Sequence, residues 1–144
     1  MSGLSVMLVD DETPFVEALS KRLAHRGIQV GKASSGDEAL ERLVEGEKPE
    51  VVILDVKMPG MDGIKVLEEI RRRHPLVEVI MLTGHATVES AIQGMKLGAF
   101  DYLMKPCDLD ELIRKAGEAS AKKRAHERKI LEAQAQRIAP RVGE

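Results

Sequence analysis

The chain has 144 residues, a net charge of −2 and 43% hydrophobic residues, enough for one domain with a real core. Only 2% of the residues are aromatic, so that core must be aliphatic. No apolar run approaches the ~18 residues of a membrane span, and no basic stretch leads an apolar one at the N-terminus, so nothing reads as a membrane anchor or a secretory signal.

In chain order, short apolar runs alternate with stretches of helical spacing. The runs Leu4–Val9, Ile28–Ala33, Val51–Leu54, Val77–Leu82 and Phe100–Met104 are too short for globular helices and read as strands. After the first strand, Thr13-Pro14 reads as a cap followed by a proline at the first helical position, with Phe15, Ala18, Leu19 and Leu23 on one face. Ser35–Glu38 has capping-box spacing and opens a helix marked by Ala39, Leu40, Leu43 and Val44. Asp62 can cap a third helix marked by Ile64, Leu67 and Ile70. Pro59-Gly60, just before it, reads as a type II turn. Val88, Ala91, Ile92 and Met95 mark the fourth helix, which carries Gly94 inside it. Asp108–Glu111, again with capping-box spacing, opens the fifth at Leu109, Leu112, Ile113 and Ala116.

Five βα units in succession argue for a parallel sheet with helices on both faces. Val6–Val9 and Val51–Leu54 are apolar without alternation and belong in the sheet centre. Ile28–Ala33 includes Gln29, Gly31 and Lys32, and Phe100–Met104 carries Asp101, so these two belong at the edges. With right-handed crossovers the expected strand order is 2-1-3-4-5.

Helix formers continue from Leu109 to about Ala139, with the opposite-charge pairs Glu118–Lys122, Lys123–Glu127 and Arg128–Glu132 four apart. The expected division is a domain at residues 4–120 and a helical extension or linker tail at 121–144. Residues 1–113 carry 13 Lys/Arg against 20 Asp/Glu, and residues 114–144 carry 9 against 4, so a net of −7 precedes a net of +5. The basic segment reads first as a solvated helix. An acidic partner or nucleic acid is the sharper alternative, weakened for single strands by the lack of aromatic residues there.

Polar residues gather where the strands end. Asp10-Asp11, then Glu12, follow the first strand; Asp55 follows the third; Thr83 and Lys105-Pro106 close the fourth and fifth. In an open parallel sheet these ends share the edge at which ligands bind. Order 2-1-3-4-5 puts Asp55 centrally, with the acidic pair on one side and Thr83 on the other. Clustered carboxylates repel one another, and a hard divalent cation resolves the conflict. Oxygen-only ligands suit Mg²⁺, Mn²⁺ or Ca²⁺, and a few carboxylates with water left over suit Mg²⁺. A neighbouring lysine and hydroxyl then fit a phosphoryl group, with the central Asp55 as its acceptor. His85 and Lys57 lie two residues beyond Thr83 and Asp55 and can screen an attacking water. His25, His74 and His126 have no metal spacing, and the single Cys107 reads as a packing residue that fits a reducing compartment.

Asp10-Asp11 after VMLV, ILDVKMPGMDG around Asp55, LTGHA with Thr83 and GAFDYLMKP with Lys105 together resemble the receiver domain of two-component response regulators, the CheY-like fold, over about residues 4–120. The wording TGHATVESAIQGMKLGAFDYLMKP looks most like receivers of NtrC-type sigma-54-dependent activators. The resemblance implies Asp55 as phosphoacceptor. It implies Mg²⁺ on Asp11, Asp55 and the Lys57 backbone carbonyl, with Asp10 acting largely through water. Thr83 and Lys105 are implied to bind phosphoryl oxygens, Tyr102 to rotate inward on activation, and the Lys105-Pro106 bond to be cis. It further implies a cytoplasmic protein served by a histidine kinase or phosphotransfer protein. Homodimers through the helix 4/strand 5/helix 5 surface or the C-terminal helix are compatible with it.

A stand-alone receiver acting by protein contact is the favoured output, since these residues hold no Walker A motif and no DNA-binding helix pair. The alternative is the regulatory domain of a longer sigma-54-dependent activator. An Mg²⁺-dependent phosphatase fits poorly: a haloacid-dehalogenase-type enzyme needs an acid two residues after its nucleophile, and Lys57 stands there. A flavodoxin needs a phosphate loop where this chain has carboxylates.

Overall fold

The computed structural model describes residues 3–58 and 60–142. Five parallel strands, β1 (Ser5–Val9), β2 (Gln29–Ala33), β3 (Val51–Leu54), β4 (Glu78–Thr83) and β5 (Asp101–Met104), form one sheet in the order β2-β1-β3-β4-β5. Between and after them run α1 (Thr13–His25), α2 (Gly36–Val44), α3 (Gly63–Arg73), α4 (Val88–Lys96) and α5 (Leu109–Val142). The expected order and both edge assignments hold.

Strand alternation divides the interior in two. Met7, Val9, Val52, Leu54, Val79 and Met81 face Ala39, Leu43, Ile64, Leu67 and Ile70 of α2 and α3. Val6, Leu8, Val51, Ile53, Ile80 and Leu82 face Val16, Leu19 and Leu23 of α1 and Leu112, Ala116 and Ala119 of α5. Burial on both faces is why β1, β3 and β4 carry unbroken apolar runs.

The caps depart from expectation in instructive ways. Thr13 lies inside α1; the cap position is Glu12, which makes no side-chain cap bond and whose carboxylate accepts from Lys105. Ser35 Oγ accepts from Glu38 N–H at 3.1 Å, but the Glu38 carboxylate returns to Ser34 N–H, one residue earlier. Asp62 caps α3 through Ile64 N–H, and Asp108 accepts from Glu111 N–H. α4 has a full capping box of Thr87 and Ser90, hidden from the usual pattern because serine replaces Glu or Gln. Gly60 has φ +83°, as a type II turn requires; Pro59 lies outside the described residues.

α5 continues unbroken beyond its buried face. Arg124 bridges to both carboxylate oxygens of Glu50, at 2.6 and 3.1 Å, and donates to Gly3 O. These bonds fix the helix to the edge of the sheet opposite the polar strand ends. No helix among the described residues is long and apolar enough to cross a membrane.

Candidate functional site

Register builds the site. Val9 pairs with Leu54 across β1 and β3, so the next residues, Asp10 and Asp55, leave the sheet side by side. Asp55 N–H donates to Val9 O at 3.0 Å and Asp10 N–H to Ala33 O at 3.1 Å, so both turns are pinned to the neighbouring strand. Carboxylate oxygens of Asp10, Asp11 and Asp55 lie within 4.8 Å of one another. Asp10 and Asp55 are buried and Asp11 is exposed. Burial, and to a lesser degree the Asp55 charge, push the Asp10 carboxyl above its ordinary pKa against the bond from Lys105.

The start of α3 presses against the same loop. Gly63 N–H donates to Val56 O at 2.8 Å, and a Cβ at Gly63 would collide with Asp55 O and lie 2.8 Å from Val56 Cα. Glycine is needed there for close backbone approach.

The other expected site residues converge from β4 and β5. Thr83 is fully buried, and its Oγ1 accepts from His85 N–H at 3.0 Å. Lys105 N–H donates to Thr83 O, and the Lys105-Pro106 bond is cis. The Lys105 ammonium does not bond Asp55. It donates to Asp10 Oδ2 at 2.7 Å and Glu12 Oε1 at 2.8 Å, and lies 4.0 Å from the centroid of the Phe15 ring. Burial works against its charge, but the bonds to Asp10 and Glu12 outweigh burial and raise its pKa. The Lys105 bond also holds the Glu12 carboxyl below its usual range. Lys57 and His85 are both exposed. Cys107 is half-buried, and burial with the neighbouring Glu111 pushes its thiol up to about 11, which keeps it inert at neutral pH.

Tyr102 is half-buried beneath α4, its hydroxyl 2.6 Å from Ser90 Oγ. Three of the four apolar residues that mark α4 do not face the core: Val88, Ile92 and Met95 are exposed, and Ala91 is half-buried. The helix instead approaches the sheet through Gly94, where a Cβ would lie 3.6 Å from Tyr102 Cδ2 and 3.8 Å from Met81 Cγ. Those are ordinary contacts, so Gly94→Ala is expected to stabilise the fold by about 0.5–1 kcal/mol, a gain to be read from urea unfolding. A loss of stability would mean that α4 has no slack over Tyr102.

Glu12, Phe15 and Ser90 are contacts that motif reading did not supply. Phe15 lies outside the quoted motifs, and Ser90 falls within the quoted TGHATVESAIQGMKLGAFDYLMKP stretch without a role being read from it. Only the proximity of Glu12 to Asp10-Asp11 hinted at a role.

The cluster fits a divalent cation. Its donors are all oxygens, and Asp55 Oδ1 is buried with no protein partner. Such an atom seeks a proton, a metal or a water.

The model of the response regulator receiver domain family matches residues 6–116. Among curated proteins, the transcriptional regulator NtrC of Escherichia coli K12 is 40% identical over 108 residues, covering 75% of this chain and 23% of its own length. The chain thus spans under a quarter of that relative. Among solved structures, a receiver domain from Clostridium thermocellum has a TM-score of 0.80 at 36% identity, covering 85% of this chain and 98% of that one. NtrX from Brucella abortus, in complex with ADP, has a TM-score of 0.76 at 28% identity, covering 100% of this chain and 30% of that one. The family match enters at β1, leaves in α5 and takes in every loop of the acidic cleft, and by that match the chain belongs to the response regulator receiver domain family.

Proposed function

We propose that Asp55 accepts a phosphoryl group from a histidine kinase or phosphotransfer protein docked near α1, with Mg²⁺ held by Asp10, Asp11, Asp55 and the Lys57 carbonyl. The observation carrying this reading is the buried, unpartnered Asp55 Oδ1 within a cluster of carboxylates. Receiver domains generally bind Mg²⁺ at an acidic pocket and act as phosphoacceptor switches rather than turnover enzymes. An Asp55 carboxylate oxygen attacks phosphorus and forms an acyl phosphate. The donor's P–N bond breaks and its electron pair stays on the imidazole nitrogen. When bound, the cation offsets charge on the transferring group. Lys105 and Thr83 then satisfy the phosphoryl oxygens.

Thr83 must turn toward the adduct, and Tyr102 fills the space behind it, which shifts α4. Lys57 and His85 screen the acyl phosphate from water and set its lifetime against weak self-hydrolysis. Exchanging both residues and timing the loss of label tests this role; an unchanged half-life ends it. Residues 4–120 form the receiver and 121–144 the extension.

Acetyl phosphate with Mg²⁺, followed by intact mass, tests the acceptor. The wild type is expected to gain one acid-labile phosphoryl group and Asp55→Asn none. A full adduct on the Asn variant would refute the assignment.

A second reading, a regulatory module of a longer sigma-54-dependent activator, is favoured by one observation. The likeness to Brucella NtrX covers the whole chain, α5 included, within a much longer protein. Reading the frame beyond Glu144 decides between this and a stand-alone receiver.

A further inference from the structure

The Lys105 ammonium is held by groups on one side of the cleft only. Asp10 Oδ2 and Glu12 Oε1, on the β1–α1 turn, take two of its three protons, and the Phe15 ring, in the first turn of α1, lies against it. The two carboxylates differ sharply: the Asp10 side chain is 5% exposed, that of Glu12 58%. Asp10 belongs to the acidic cluster; Glu12 does not. Glu12 stands at the cap position of α1 but makes no side-chain cap bond there.

From this geometry we infer that Glu12 is a positioning residue that holds Lys105 in reserve, giving the ammonium a partner outside the cluster so that Asp10 can turn to a cation. The inference rests on the receiver chemistry proposed above. A divalent cation bound at Asp10, Asp11 and Asp55 competes with Lys105 for Asp10 and repels its charge. With Glu12 present, Lys105 withdraws along a bond it already makes and stays beside the cleft. The Glu12 carboxylate is 58% exposed against 5% for Asp10, so its bond to Lys105 is the easier of the two to give up when phosphoryl oxygens arrive. Phe15 holds the ammonium at the same height through both stages. Glu12 thus acts twice with opposite sign: it favours the cation, and it competes with the phosphoryl group for Lys105.

That double sign, appearing also when the side chain is shortened with its charge kept, is the test. Mg²⁺ binding is measured by calorimetry, and beryllofluoride binding in saturating Mg²⁺ by ¹⁹F NMR, on the wild type, Glu12→Gln and Glu12→Asp. In Glu12→Gln the Mg²⁺ dissociation constant is expected to rise about three- to tenfold, while beryllofluoride binds about two- to fivefold more tightly, the scale of one exposed charge-assisted bond. Glu12→Asp keeps the charge and shortens the reach, so it is expected to follow the Gln variant. Overturning results are the same opposite changes in Glu12→Gln with a wild-type Glu12→Asp, which would reduce Glu12 to a local charge that attracts the cation and repels the anion, a parallel weakening of both ligands, or no change in either. If the wild type itself takes up no beryllofluoride, the receiver chemistry falls and this inference with it. A responsive wild type with unresponsive variants removes the Glu12 role alone.

Discussion

Gly63→Ala is expected to cost about 3 kcal/mol of unfolding free energy, well above a typical surface substitution. The clash is not with the end of a flexible side chain. The new Cβ meets Asp55 O and the Val56 backbone, both continuous with buried β3. Relief requires α3 to back away from the sheet, and that stretches the Gly63 N–H bond to Val56 O and unseats Ile64 and Leu67 from the core. The measurement is the urea midpoint at constant slope. Gly117→Ala, in the open part of α5 where a Cβ meets nothing within 4 Å, is the control and is expected to gain about 0.5–1 kcal/mol. A Gly63→Ala protein as stable as the wild type would show that the α3 start is not what holds the Asp55 loop in place.

Gly63 also marks where sequence reading stops. The five strands were legible because β1, β3 and β4 carry apolar runs that only a sheet covered on both faces can bury, and because the polar residues fall just beyond the strand ends. Asp10, Asp55, Thr83 and Lys105 could be brought together from strand order alone. Their partners could not. Whether Lys105 reaches Asp55 or turns to Glu12 depends on side-chain direction across the β1–α1 turn, and one-dimensional spacing does not encode that. The exposed stripe of Val88, Ile92 and Met95 misleads for a related reason. Helical periodicity locates an apolar face but does not say whether a neighbour covers it, and the close approach of α4 runs through the one residue, Gly94, that has no side chain. The reciprocal bond of the Ser35 cap slips by one residue: Glu38 Oε1 accepts from both the N–H and the hydroxyl of Ser34.

Mg²⁺ should be a strong stabiliser of this fold, and Asp55→Asn should abolish most of that effect. At a free concentration about 100 times its dissociation constant, a ligand bound only by the native state adds ~2.7 kcal/mol. Without the cation the sign reverses at Asp55. Two buried carboxylates and a third nearby repel one another, and the direct bond from Lys105 within the cluster goes to Asp10, not Asp55. Metal-free Asp55→Asn is therefore expected to exceed the wild type by about 1 kcal/mol. The pH dependence follows from Asp10, whose carboxyl is raised in the folded state by burial and then by Asp55. Its contribution to stability is full below the unfolded value of 3.8 and declines as pH rises through the higher folded value. Removing the Asp55 charge should flatten that decline. Urea unfolding of both proteins, with and without Mg²⁺ across the acidic range, reads all three effects. Equal stabilisation of the wild type and Asp55→Asn by the cation would place the metal somewhere other than this cleft.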